Sequence, residues 1–183
     1  MKAILFVMFF SFSTFAATEF KIRASNEKNY NSLKAYSKTD LVAIIAFGNY
    51  CPILRRHIPA LNELQKTYQD KVTFMMLNSI KNMSDLDLVK EKKEFGLDFD
   101  IYQDHNLTTV KELGLTTLSE VVLLKVSTGE ILYRGSINNQ FTFDLMRQKP
   151  TENYLTVAIA SSLKNEEVKV KKSKVFGCAI SFN

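Results

Sequence analysis

The apolar positions of the chain change rhythm repeatedly, and each change marks an element. "LVAIIAF" at 41–47 is an unbroken apolar, partly β-branched run, closed by the turn-like Gly48 and Asn49. Its length and its ending predict a strand buried on both faces. From Pro52 the spacing lengthens. Ile53, Leu54, Ile58, Leu61, Leu64 and Tyr68 recur at helical intervals, so a helix is expected, with Pro59 kinking it from inside. "KVTFMMLNS" at 71–79 is the next strand, with Val72, Phe74 and Met76 inward. Ser84 then stands as an N-cap, Asp85 and Asp87 fall in the first turn, lysines come later, and Gly96 ends the pattern. Those are matched start and stop signals for a helix.

"FDIYQD" at 99–104 predicts a short strand, and "NLTTVKELGL" a short helix capped by Asn106 or Thr108 and ended by Gly114. "EVVLLKV" and "EILYRGSI" flank "STG", which is a hairpin signature. "FTFDLMRQ" leads to "NYLTVAIASSLKN", a helix with Leu155, Ile159 and Leu163 on one face. The polar lead-in before Leu41 predicts a short strand and then a helix or irregular segment. Strand–helix alternation closed by an antiparallel pair predicts an α/β fold: a central mixed β-sheet with helices on both faces.

The N-terminus changes the picture first. "MKAILFVMFFSFSTFAA" has a lysine at position 2, an apolar stretch and then small residues, the order of a secretory signal peptide. The stretch is short of the ~20 residues a span needs. Residues 1–17 are therefore expected to be removed, with a retained N-terminal anchor as the alternative, and no stable membrane insertion is expected after cleavage. The remaining chain, roughly 166 residues, fits one domain over 18–167 and a basic tail over 168–183. The formal charge of +5 reflects 24 Lys and Arg against 19 Asp and Glu. Much of the surplus lies in "KNEEVKVKKSK", where glutamates mix with lysines and no aromatics interleave. A solvated face or extended tail is expected there, and no nucleic-acid partner.

The two cysteines, Cys51 and Cys178, suit an oxidising compartment. Cys51 sits at a strand end just before a helix, where unpaired N–H groups and the helix dipole favour a thiolate. Pro52 suits the first helical position, and Arg55 and Arg56 add positive charge one turn on. Such surroundings lower a thiol pKa from about 8.5 toward ~3.5–7.5. The alternative is an inert apolar residue or half of a disulfide. His57 is expected at the surface and His105 in a loop. Two scattered histidines and two distant cysteines make no metal-ligand spacing, so no metal or cofactor is expected.

With those residues in view, "LVAIIAFGNYCPILRRHIPALNELQKTYQDKVTFMMLN" resembles the active-site β-α-β unit of the thioredoxin superfamily. The resemblance is greatest to secreted redoxin-domain proteins related to the peroxiredoxin (alkyl hydroperoxide reductase and thiol-specific antioxidant) group. It continues through "LSEVVLLKVSTGEILYRGSINNQF" and "PTENYLTVAIASSLKNEEV" to the terminal "GCAI". The resemblance implies a thioredoxin-like fold with Cys51 as the attacking cysteine. It also shows departures. The second cysteine of a Cys-x-x-Cys motif is replaced by Leu54, and the peroxiredoxin threonine and proline by Gly48 and Ile44. The cis-proline position holds Ser119, whose preceding bond is expected to be trans, because a cis bond there costs about 2.5–4 kcal/mol. No arginine matches by motif, and Arg134 is expected in a surface or salt-bridge role.

The chain is accordingly expected to be an exported, periplasmic or secreted, thiol-disulfide oxidoreductase or thiol-dependent peroxidase. Cys178 would resolve the intermediate formed at Cys51, on a peroxide or protein disulfide substrate, with a thiol protein as electron donor. The alternative is a catalytically degenerate thioredoxin-fold binding module fastened by a structural Cys51–Cys178 disulfide.

Overall fold

The structure is a computed structural model and describes residues 20–142 and 149–182; the expected signal segment, residues 1–17, lies outside the described residues. Seven strands form one sheet: β1 (Lys21–Ala24), β2 (Asn31–Ser32), β3 (Leu41–Phe47), β4 (Val72–Asn78), β5 (Ile101–Asp104), β6 (Val121–Lys125) and β7 (Glu130–Gly135). Their spatial order is β2-β1-β5-β4-β3-β6-β7. The helices are α1 (Leu33–Tyr36), α2 (Pro52–Tyr68), α3 (Asp85–Phe95), α4 (Thr108–Glu112) and α5 (Tyr154–Leu163). The sheet is mixed: β3 pairs parallel with β4 and β4 with β5, while β6 runs antiparallel to β3 and β7 to β6.

Every residue of β3 is buried, as its unbroken apolar run requires of a strand covered on both faces. Its even and odd positions, Val42, Ile44 and Ala46 against Ala43, Ile45 and Phe47, are all shielded from solvent, so layers cover the sheet on either side. α2 turns Leu54, Ile58 and Leu61 into that core and continues through Pro59. α3 starts at the expected Ser84 N-cap and forms a full capping box, with the Ser84 hydroxyl accepting from Asp87 N–H and the Asp87 carboxylate accepting in return, and the expected Gly96 closes it at φ +64°.

The cap of α4 differs from expectation. Neither Asn106 nor Thr108 caps it; the buried Asp104 carboxylate accepts from the N–H groups of Thr109 at 3.0 Å and Val110 at 2.8 Å. Burial pushes the Asp104 carboxyl pKa up, against the pull of those donors. The cap is drawn from the end of β5, a few residues upstream, rather than from the N-cap position at the start of the helix. The lead-in also contributes more than a connector. β1 extends the sheet by pairing antiparallel with β5, Ile22 opposite Asp104.

The basic tail is solvated in its side chains and anchored in its backbone. Lys169, Lys171, Lys172 and Lys174 are exposed. The Arg134 N–H nevertheless donates to the Lys171 carbonyl at 3.0 Å, and Ser173 N–H donates to the Arg134 carbonyl at 3.1 Å. The chain then crosses to the loop ahead of β6, where Ala179 pairs antiparallel with Thr117. No helix among the described residues is long and apolar enough to cross a membrane.

Candidate functional site

Cys51 sits where β3 leaves the sheet and α2 begins, and it is the N-cap of α2. Its Sγ accepts the Leu54 N–H at 3.5 Å, its N–H donates to the Gly48 carbonyl at 3.3 Å, and its carbonyl accepts from Arg55 N–H at 3.2 Å. The sulfur therefore occupies the place of an N-cap oxygen, at the positive end of a seventeen-residue helix. Pro52 takes the first helical position, where its missing N–H costs nothing. Cys51 is only 1% exposed.

The tail brings Cys178 to it. Leu118 N–H donates to the Cys178 carbonyl at 2.8 Å, and Ile180 N–H donates to the Thr116 carbonyl at 2.9 Å. These bonds seat Cys178, half-buried, beside the loop whose Leu118 packs over Gly48, near enough to Cys51 for its ionisation to feel that thiol. Both cysteines are free thiols. The Cys178 pKa is pushed up to about 11, first by burial, then by the hydrogen bond and charge of Cys51.

The loop 116–120 is the third wall. Ser119 N–H donates to the Ala46 carbonyl at 3.0 Å and Ala46 N–H to the Glu120 carbonyl at 2.9 Å, which ties the loop to the end of β3. The described residues contain no cis peptide bond, so Leu118–Ser119 is trans as expected. Ser119 instead turns the chain with φ +75°. The buried Glu120 carboxylate accepts from Thr116 N–H at 2.9 Å and Thr117 N–H at 3.3 Å, fixing the turn from inside. Leu118 fills the space above Gly48: a Cβ on Gly48 would lie 2.4 Å from Leu118 Cδ1. Gly48 is thus a packing requirement of the turn that leads into Cys51.

The remaining candidates make contacts of their own or lie exposed. Arg55 is exposed and stacks on the Phe95 ring at 3.9 Å, and Arg56 is also exposed. Arg134 is half-buried; its guanidinium donates to the Leu113 carbonyl and packs against Gly114, a structural role in place of the expected surface or salt-bridge one. His57 corrects an expectation outright. It is 1% exposed, its ring meets Phe141 edge-on at 4.9 Å, and burial pushes its pKa down to about 4. Gly177, Leu118 and Glu120 carry no mark in the sequence that singles them out as site residues. Gly177 comes nearest, a residue without a side chain next to a thiol.

No protein-family model matches the chain, and no curated protein matches its sequence. Solved structures do match. An uncharacterised conserved protein from Geobacillus kaustophilus superposes with a TM-score of 0.75 at 19% identity, covering 91% of this chain and 90% of that one. A thioredoxin-like protein from Aeropyrum pernix gives 0.53 at 14% identity, over 64% of this chain and 81% of its own. The fold is thioredoxin-like. A secreted disulfide oxidoreductase of Mycobacterium tuberculosis matches with a TM-score of 0.54 at 12% identity, covering 78% of this chain and 96% of that one. At these identities the likeness is one of fold.

Proposed function

We propose that the protein is an exported thiol-disulfide oxidoreductase in which Cys51 attacks and Cys178 resolves. The observation that supports this reading is the course of the tail: the Cys178 carbonyl accepts from Leu118 N–H, which brings a cysteine distant in sequence to the loop beside Cys51, the N-cap of α2. The Cys51 thiolate attacks one sulfur of a substrate disulfide. A mixed disulfide forms, and the other substrate sulfur leaves as a thiolate and takes up a proton. Cys178, as thiolate, then attacks Cys51 Sγ; the Cys51–Cys178 bond forms and the second substrate thiol is released. The substrate is reduced by two electrons, and a thiol-protein donor returns the pair to the dithiol.

Disulfide exchange suits the surroundings better than peroxide chemistry. Gly48 brings no hydroxyl, and the arginines closest in sequence, Arg55 and Arg56, lie exposed on α2. Export is supported by the N-terminal sequence pattern and by the secreted oxidoreductase of the same fold. The burial of Cys51 favours one competing reading, a binding module whose thiols are inert. Purified wild type, Cys51→Ser and Cys178→Ser are compared for reduction of a peptide cystine and for peroxide consumption. Wild-type disulfide reduction above the Cys51→Ser background, with a mixed disulfide trapped in Cys178→Ser, is expected. Activity equal to that background in both assays leaves the binding module standing and removes the enzyme.

A further inference from the structure

The loop beside Cys51 is covered by the chain's own C-terminus. The bonds Leu118 N–H to Cys178 carbonyl and Ile180 N–H to Thr116 carbonyl, at 2.8 and 2.9 Å, bracket the Thr117–Ala179 pair. Ser119 Oγ adds a bond to the Phe176 carbonyl at 3.4 Å. Upstream, the Ser173 hydroxyl accepts from Ser136 N–H at 2.9 Å, so the segment is fastened at two separated points. Between them Gly177 lies so close to the loop that a Cβ would stand 2.2 Å from the Leu118 carbonyl oxygen and 2.8 Å from Thr117 Cγ2. Ile180 is buried at the far end.

We propose that residues 176–180 are a strap occupying the docking edge of an extended, cystine-bearing polypeptide, and that strap and substrate alternate on the backbone of Thr116–Leu118. The inference rests on the thiol-disulfide reading and narrows its substrate class. A peroxide or a small disulfide needs only a gap to reach Cys51, whereas a polypeptide also needs backbone partners. The loop offers one N–H and one carbonyl spaced for antiparallel strand addition. The strap itself is such an occupant, with Ala179 paired to Thr117 and the Cys178 carbonyl bonded to Leu118 N–H. When a substrate strand displaces it, Cys51 forms the mixed disulfide. When the strap returns, it takes back the edge, delivers the Cys178 thiolate to Cys51 Sγ and expels the second substrate thiol in the same movement. Once Cys51 is tied in the mixed disulfide its thiol no longer bears on Cys178, and burial is the opposition to ionisation that remains.

The test reads shielding separately from turnover. In full-length Cys178→Ser protein Cys51 is the sole thiol, and its carboxamidomethylation by iodoacetamide is followed by mass spectrometry. Adding Gly177→Ala is expected to speed labelling about tenfold or more, since opening of the covering segment limits access. A synthetic peptide of residues 172–182, with Ser at 178, is expected to slow it again. Ile180→Ala gives a second, milder release if Gly177→Ala fails to fold. Labelling unchanged in the folded variants overturns the strap. In the two-cysteine protein, Gly177→Ala is expected to accumulate mixed disulfide with a peptide cystine, because resolution has lost its guide. A peptide cystine reduced by wild type no faster than hydroxyethyl disulfide overturns the polypeptide assignment. Faster labelling without any wild-type reductase activity would instead remove the enzymatic reading and keep the strap as a cover.

Discussion

His57 makes the protein acid-sensitive, by an amount its surroundings fix. The ring lies on the buried face of α2 against Phe141, and its Nδ1 has no hydrogen-bond partner among the described residues. Burial lowers its pKa from 6.5 to about 4. The folded-state value is depressed for a base, so between those two values the unfolded chain carries a proton that the folded chain refuses. Stability is therefore intact above pH 6.5 and is lost as pH falls toward 4. At about 1.36 kcal/mol per pH unit, the whole interval is worth about 3 kcal/mol and the part down to pH 5 about 2 kcal/mol. His57→Leu removes the titration and the orphaned nitrogen while keeping a similar volume. Urea unfolding of both proteins at pH 7.5 and pH 5.0 gives a double difference in which the shared carboxylates, such as Asp85 and Asp87, cancel. The variant is expected to gain about 2 kcal/mol on wild type between the two pH values. Equal losses in the two proteins would show that His57 is solvated or protonated in the fold, and the burial argument would fall.

The other predictions concern the site. Oxidising the Cys51–Cys178 pair closes a loop of more than ~100 residues and is expected to stabilise the protein by about 4–5 kcal/mol, read as a higher melting temperature without reductant; an unshifted transition would break the pairing. Ser119→Pro is expected to cost about 3 kcal/mol or more, because φ is +75° and the Ser119 N–H is used by Ala46. Ser119→Gly should hold or raise the urea midpoint, and a proline variant as stable as wild type would contradict the observed turn. Gly48→Thr drives a side chain into Leu118 and is expected to cost about 1–3 kcal/mol without raising peroxide consumption. A stable Gly48→Thr peroxidase would return the site to peroxide chemistry.

The chain's local patterns carried the scaffold. β3 was legible because a continuous apolar run bounded by a turn has one economical use, a strand covered on both faces. α2 and α3 were legible because periodicity, caps and the Gly96 stop all act within a few residues. Cys51 stood out on the same local grounds, at a strand end and a helix start. His57 was misread: its polarity pointed to the surface, while its place three residues after Leu54 and four before Leu61 puts it on the face that the fold must close.

The surroundings of Cys51 come from the folded sheet. The Leu118 contact over Gly48 joins residues far apart in sequence, whereas the Asp104 cap on α4 and the Glu120 brace under loop 116–120 reach only a few residues along the chain but link a strand end to a helix or close a turn, outside any helix period. The seating of Cys178 is the clearest case. A tail that reads as a solvated basic segment pairs by backbone N–H and carbonyl groups that every residue but proline carries, so its side-chain pattern does not announce a partner. Sequence supplied two thiols. Their meeting depends on an edge of backbone that exists only once the sheet has formed, and on a glycine that lets the tail come close enough to use it.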